Sequence, residues 1–277
     1  MKTLQEIYQP IIKELALVET ELKNVLFFCG HEGRATDDSK QVIEYFFNVP
    51  GKRFRPALVI LSACAVNYRL STTGYQPIHL AAIVELIHTA SLIHDDIVDD
   101  SSSRRGQPTL NKQFGNKIAV LAGDMLYTRA FSLLTDKYDK KIIRILSQCV
   151  EKMCGGEINE LLPADGKLRT AFPEYLKIIE NKTASFMAAC CQCGAELNSA
   201  SKKLIDGLTD YGLNLGMTYQ IVDDYIDGDF VNVKDYHIKK AEEFASKAKQ
   251  SIKVLKNSIY KEKLFDLVDY ILNISRR

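Results

Sequence analysis

The chain of 277 residues is poor in strand signals: its apolar residues recur three and four apart, the helical period, and almost nowhere alternate. That excludes sheet-based architectures. No uninterrupted apolar run approaches the ~18 residues that would cross a bilayer, so no transmembrane segment is expected. The opening Met1-Lys2-Thr3-Leu4-Gln5-Glu6-Ile7 mixes charged with apolar residues and offers no signal-peptide core. A formal net charge of +1 argues against nucleic acid as a partner held by bulk electrostatics. Seven cysteines are present, and Cys190 and Cys193 have Cys-x-x-Cys spacing, but no second pair or nearby histidine completes a zinc site. Small side chains that let helices approach closely are the better reading of Cys190, Cys191 and Cys193. The odd cysteine count fits a reducing cytoplasm. After Gly228 there is neither glycine nor proline.

What is present is a succession of amphipathic and apolar helices. Leu4, Ile7, Ile11, Ile12, Leu15, Val18, Leu22 and Leu26 mark a first one, and a polar stretch from Gly30 to Lys40 interrupts. A short second helix runs through Ile43, Tyr45 and Phe46 to Pro50-Gly51. Helices are then predicted over 57–66, 78–100, 119–134, 142–162, 173–197 and 202–227, with turn signals such as Pro163-Ala164-Asp165-Gly166 between them. Helical spacing resumes at once from Ile238 to Leu255. With no internal repeat and no composition break, residues 1–277 read as a single all-α domain of about ten helices.

Two segments carry the chemistry. His94-Asp95-Asp96-Ile97-Val98-Asp99-Asp100 and Gln220-Ile221-Val222-Asp223-Asp224-Tyr225-Ile226-Asp227 both contain Asp-Asp-x-x-Asp within a predicted helix. Residues four apart share a helix face, so Asp95 lies with Asp99 and Asp223 with Asp227. Like charges stacked in this way repel unless a cation neutralises them. Hard divalent cations bind through oxygen, and magnesium shares its carboxylates with substrate phosphate. Two such clusters facing each other would hold a magnesium-bridged diphosphate.

The remaining polar groups are weak signals one by one. Lys52, Arg53 and Arg55 beside Pro56 would ordinarily be a solvated basic turn at a helix start. Arg104 and Arg105 would offset the dipole at the end of the first aspartate helix. Lys182 and Thr183 interrupt an apolar helix, Gln220 sits one turn before Asp223, and His88 on an apolar face would by default be a core histidine. Gly212 and Gly216, four apart, would mean close helix packing. Together, however, two acidic clusters and several separate cations on an apolar helical scaffold describe a pocket for two diphosphates, one bound through metal and one by cations.

In their order and wording these motifs resemble the trans-isoprenyl diphosphate synthases. The segments are Gly-Lys-Arg-x-Arg-Pro, Glu-Leu-Ile-His-Thr-Ala-Ser-Leu-Ile-His-Asp-Asp-Ile-Val-Asp, Arg-Arg-Gly, Lys-Thr and Gln-Ile-Val-Asp-Asp-Tyr-Ile-Asp. The chain is most similar to the long-chain polyprenyl branch. The resemblance implies an all-α isoprenoid synthase fold around a deep central cavity, working as a homodimer, with about three magnesium ions per site. It gives Lys52, Arg55, His88 and Arg105 to isopentenyl diphosphate, and Arg104, Lys182, Thr183 and Gln220 to the allylic diphosphate. It makes Asp95, Asp99, Asp223 and Asp227 the metal ligands. Asp95, Asp99, Arg104, Lys182 and Asp223 are the residues on which catalysis would rest. Transient membrane contact for product release goes with such a substrate.

The implied chemistry is ionisation of the allylic diphosphate, attack by the double bond of isopentenyl diphosphate, and loss of a proton. The carbocation needs an apolar, water-free cavity. Product length is expected to exceed geranylgeranyl, because Ser91 and Ala90, one turn before Asp95, are small. A class I terpene cyclase would have no use for Gly51 to Pro56. A non-catalytic regulatory subunit would not need two complete clusters, and a metal-binding scaffold leaves the cations unexplained. Two departures from the family stand out. The longer segment that carries Gly-Lys-Pro and a further Gly-Lys in the family is not found between Asp229 and Lys234. Either the loop is absent or a stretch is missing there, and the match of the flanking helix favours the second. Glu160, in Gly156-Glu157-Ile158-Asn159-Glu160, stands where relatives commonly carry glutamine.

Overall fold

The computed structural model describes residues 2–28, 37–49, 51–67, 75–162, 172–228 and 234–274. Cys29, Pro50, the turn at 163–166, the connection 229–233 and most of the polar stretch from Gly30 lie outside the described residues. The chain divides into two compact units, one of Met1–Ile12, Ala57–Pro77 and Lys140–Arg277, the other of Lys13–Pro56 and Ile78–Asp139. Among the described residues all regular secondary structure is helical except one small hairpin.

The first helix starts on a capping box. Thr3 accepts from the Glu6 amide while the Glu6 carboxylate takes the Thr3 N–H at 2.6 Å. The predicted single first helix is in fact two, α1 (Leu4–Tyr8) and α2 (Ile12–Phe28), joined by a 3₁₀ turn at Gln9–Ile11. Pro10 is the reason, since it has no N–H for an α ladder. There follow α3 (Asp37–Phe47), α4 (Phe54–Ala65) and α5 (Gln76–Val98). Pro56 sits in the first turn of α4 and Pro77 in that of α5, where a missing N–H costs nothing.

By length and composition α5 could cross a membrane, but 78% of its most apolar stretch is buried inside the protein, as in a core helix. Leu80, Ile83, Val84, Leu86, Ile87 and Ala90 are all inaccessible to solvent. The strands β1 (Ser103–Arg104) and β2 (Gln107–Pro108) then pair antiparallel and lead into α6 (Leu110–Phe114) and α7 (Asn116–Lys137). Helix α7 also meets the length and composition of a membrane span; only 39% of its apolar stretch is buried, and Leu121 is 68% exposed.

The other unit continues with α8 (Lys140–Leu161), α9 (Phe172–Ile179) and α10 (Ser185–Glu196). The predicted helix over 173–197 is thus interrupted: Glu180–Ala184 form a π-helical turn between α9 and α10. Helix α11 (Lys202–Asp227) packs against this turn and α10 through Gly212 and Gly216. A Cβ on Gly216 would come within 2.5 Å of the Ala184 Cα, and one on Gly212 within 2.5 Å of the Met187 carbonyl oxygen, so both positions require glycine. Cys190, Cys191 and Cys193 are fully buried on the same helix, as expected of packing residues, and burial pushes the Cys191 thiol up to about 12. The C-terminal run is not one helix. Helix α12 (Lys234–Ser251) ends in a 3₁₀ turn at Ile252–Val254, and α13 (Ile259–Ile274) follows. Lys261 donates to the Leu255 carbonyl at 2.7 Å across that break, and the buried Tyr211 hydroxyl donates to the Leu264 carbonyl at 2.7 Å, tying α13 to α11.

Candidate active site

In the unit holding α5, the first aspartate cluster lies at that helix's C-terminal end. The α5 helix stops at Val98, two residues short of the expected end, although the Asp99 amide still donates to the Asp95 carbonyl at 2.8 Å. Asp95 and Asp99 therefore keep the helical spacing. Asp100, at φ +49°, turns the chain away, and the Ser101 amide closes the turn on the Asp96 carbonyl. Arg104 and Arg105 do not extend the helix end, as their position in sequence suggested. They sit on the hairpin, with Arg105 and Gly106 at positive φ in its two-residue turn. The hairpin carries Arg104 back to α5, where its guanidinium grips the buried Asp96 in a fork: Nε at 2.9 and 3.0 Å, Nη2 at 2.7 Å.

The three cations of Gly51 to Pro56 separate. Arg53, at φ +53°, is buried between Glu19 and Glu85, with Glu85 at 2.5 Å, and so is held by the protein itself. Lys52 is exposed. Arg55 Nη1 lies 3.0 Å from His88 Nε2. Burial first, and then the positive charges of Arg55 and Arg105, hold the His88 imidazole well below its ordinary range, so the neutral ring accepts from Arg55. Arg105 donates to the Val49 carbonyl at 2.9 Å with its guanidinium lying over Gly51, where a Cβ would be 2.5 Å from Nη2. The structure thus brings Arg55 to His88, and Arg105 to the residue beside Lys52.

In the other unit, the second cluster occupies the last turns of α11. Gly228, in the left-handed region at φ +85°, ends the helix by donating to the Asp224 carbonyl. Asp223 and Asp227 are exposed, whereas Asp224 is half-buried and anchored. Tyr175 donates to its Oδ2 at 2.5 Å and Gln220 Nε2 to its Oδ1 at 2.7 Å. Gln220 in turn accepts from Thr183 at 2.9 Å. Lys182, beside Thr183 in the π turn, points the other way, to Glu157 at 2.7 Å and Glu160 at 2.9 Å on α8. Burial pulls the Lys182 ammonium down, but hydrogen bonds to the two glutamates outweigh it and hold its pKa above the ordinary lysine value. Asp96, Asp224, Tyr175 and Glu157 escaped the sequence argument. Spacing gave no signal for Asp96 or Asp224, since Asp95 and Asp96 both lie within one turn of Asp99, and Asp223 and Asp224 within one turn of Asp227.

Each cluster stands at a helix C-terminus, where the helix dipole is itself negative, which adds to the repulsion among that cluster's own carboxylates. Asp95 with Asp99, and Asp223 with Asp227, supply oxygen donors only, the set that suits a hard divalent cation. Among the described residues no three metal-ligating side chains gather into a closed cage. Water or substrate oxygens would have to complete the coordination, as magnesium ordinarily allows.

The family model described as Polyprenyl synthetase matches residues 37–257. Octaprenyl diphosphate synthase of Escherichia coli (strain K12) is 39% identical over 183 residues, 66% of this chain and 55% of that one. A prenyl transferase of Porphyra purpurea is 35% identical over 228 residues, 82% of this chain and 68% of its own length. The chain thus spans just over half the length of the octaprenyl enzyme. Among solved structures, a decaprenyl diphosphate synthase from Rhodobacter capsulatus superimposes with a TM-score of 0.88 at 26% identity, covering 99% of this chain and 100% of that one. The fold is the all-α isoprenoid synthase fold.

Proposed function

This chain belongs to the polyprenyl synthetase family, and from that premise we propose that it condenses isopentenyl diphosphate onto an allylic diphosphate such as farnesyl diphosphate, giving an all-trans polyprenyl diphosphate longer than geranylgeranyl. The observation that carries the reading is that each compact unit joins an aspartate cluster at a helix end to its own diphosphate-type donors. In this reading residues 1–277 act as one synthase domain, which the run of the family match through both units supports.

Asp95 and Asp99, and Asp223 with Asp227, are the residues that would hold magnesium. When bound, the metal neutralises charge that develops on the leaving diphosphate. Lys182, Thr183, Gln220 and Arg104 bind and orient that diphosphate, and Asp96 keeps the Arg104 fork aimed. Lys52, Arg55 and Arg105 hold the diphosphate of the second substrate, while the neutral His88 orients Arg55. Fixing both diphosphates makes attack by the isopentenyl double bond a positioned, effectively unimolecular step. The proton then lost leaves with the departing diphosphate.

A homodimer is part of the reading, supported by the exposed apolar side chains Ile118, Val120 and Leu121 on α7. So are a reducing cytoplasm, supported by the odd number of cysteines, and transient membrane contact as a long product leaves. The test is incubation with farnesyl diphosphate, isopentenyl diphosphate and magnesium, with products resolved by chromatography. Products beyond geranylgeranyl diphosphate are expected; no condensation would instead point to a regulatory subunit.

A further inference from the structure

Lys182 is the one diphosphate-binding cation of its unit in the proposed reaction, yet it already has two carboxylate partners. Glu157 and Glu160 are three apart on α8 and therefore neighbours on its surface. They meet the same ammonium, at 2.7 and 2.9 Å. The approach is set by the backbone. A Cβ on Gly156 would lie 3.1 Å from the Lys182 amide nitrogen and 3.1 Å from the Asn181 Cβ, so α8 and the π turn pass close together there. The π turn, a form that recurs at functional sites, presents Lys182 between the two glutamates. The trio carries a net charge of −1, from two carboxylates and one ammonium. Of the two, Glu157 is mostly buried, its side chain 16% exposed, and belongs to the packing of α8; Glu160, 47% exposed, faces solvent at the edge of the pair.

We propose that Glu160 limits the affinity of the site for the allylic diphosphate by competing for Lys182 and by leaving a surplus negative charge beside it. The proposal rests on the reading of Lys182 as a donor to that diphosphate. A diphosphate arriving at Lys182 must displace, or share the cation with, a carboxylate that repels it. Removing that one charge leaves Lys182 paired with Glu157 alone and the trio neutral. Two charges about 5 Å apart at a partly exposed site interact by enough to change binding on the order of tenfold. The consequence is a site that holds its allylic substrate, and the diphosphate it releases, more loosely than the cation alone would. Loose ground-state binding raises KM without lowering kcat.

The experiment is Glu160→Gln in the full chain, which keeps the shape and a hydrogen-bonding oxygen but removes the charge. Binding of inorganic pyrophosphate with magnesium, read by calorimetry, should tighten on the order of tenfold. KM for farnesyl diphosphate should fall in parallel, kcat should not rise, and KM for isopentenyl diphosphate should stay unchanged. In a Lys182→Met background the same change should have little effect, which a merely structural glutamate would not predict. Should Glu160→Gln prove unstable, Glu160→Ala provides the same loss of charge. Normal turnover with unchanged or weaker pyrophosphate binding in these variants overturns the proposal alone. Absence of turnover with every allylic primer, with pyrophosphate binding that still tightens, overturns the functional reading and upholds the competition for Lys182.

Discussion

Tyr175 donates its phenol to Oδ2 of Asp224 at 2.5 Å, and so fixes the middle of the second aspartate cluster from a different helix. The ring is packed in turn against Phe172, centroids 5.6 Å apart, and edge-on to the buried His237 at 6.0 Å. Asp224 is thereby an anchor for α11, and Asp223 and Asp227 are the carboxylates it leaves for other work. Tyr175→Phe keeps the aromatic packing and removes only the donor. Turnover is expected to fall about tenfold, roughly the loss of one hydrogen bond to a charged group, and the magnesium concentration for half-maximal rate to rise. An unchanged magnesium dependence would show that Tyr175 does not orient the cluster.

The aspartates proposed as metal ligands give a harsher test. Asp95→Ala or Asp223→Ala should cut turnover by orders of magnitude with helical circular dichroism intact. Each should also blunt the rise in melting temperature that magnesium with pyrophosphate produces in the parent chain. Near-normal turnover in either variant would sink the assignment.

Around Gly51 the prediction concerns which substrate suffers. A Cβ there collides with the Arg105 guanidinium, the mobile end of a long side chain, so Arg105 and not the backbone will move. Gly51→Ala should fold normally and raise KM for isopentenyl diphosphate several-fold more than KM for farnesyl diphosphate. Lys52→Ala should show the same selectivity. Steady-state kinetics with each substrate varied in turn checks both, and the opposite selectivity would refute the division of substrates.

Product length separates two neighbours that the sequence treated alike. Ala90 has no accessible surface, whereas Ser91 is half-buried, its hydroxyl donating to the His88 carbonyl at 2.9 Å. Ser91→Phe is expected to shorten the product while sparing the first condensation. Ala90→Phe forces a ring into a filled core and should destabilise the protein by roughly 1–3 kcal/mol. Chromatography of products and thermal melts of the two variants distinguish them; equal behaviour would mean both face the same space.

His88 gives a pH dependence with a definite sign. Its folded-state pKa is depressed, while in the unfolded chain it titrates near the ordinary ~6.5. Below that value the unfolded chain takes up a proton that the folded one refuses. Its contribution to stability is therefore complete above about pH 6.5 and is lost as the pH falls from there towards the folded pKa. His88→Gln, which cannot titrate, should lose less of its denaturation midpoint between about pH 7 and 5.5 than the parent. An equal loss in both would show that His88 is not held neutral.

Much of this arrangement could be read from residue order. Helical spacing placed α5, α7, α8 and α11 to within a few residues, because an apolar face repeated over about six or seven turns leaves little choice. It also placed Asp95 with Asp99 and Asp223 with Asp227. What escaped it depends on partners distant in the chain. The hairpin that returns Arg104 to Asp96 has strands of only two residues, too short for any alternation to show. Arg53 was indistinguishable from Lys52 and Arg55 until Glu19 and Glu85 were seen around it. The break between α12 and α13 contains neither glycine nor proline; Lys261 capping the Leu255 carbonyl takes their place. Lys182 and Thr183 were legible as a polar interruption, but nothing in their spacing announced a π turn.

That turn survives because Ser185 splints it. Its amide reaches back five residues to the Glu180 carbonyl, and its hydroxyl takes the Asn181 carbonyl at 2.7 Å, the acceptor that the skipped α-helical bond leaves over. With both carbonyls answered, the helix can carry one residue more than its ladder needs. The surplus residue works as a phase shift. Upstream of it, Tyr175 is in register with the end of α11; downstream, Phe186, Met187, Cys190 and Cys193 are in register with the core. Deleting one residue from 180–184 would let the ladder close as ordinary α-helix with both halves in place, whereas deleting one elsewhere in the helix would rotate one half against the other by about 100°. The two halves of this helix are therefore keyed to different neighbours, and the surplus residue is absorbed in the turn between them, which carries Lys182 and Thr183.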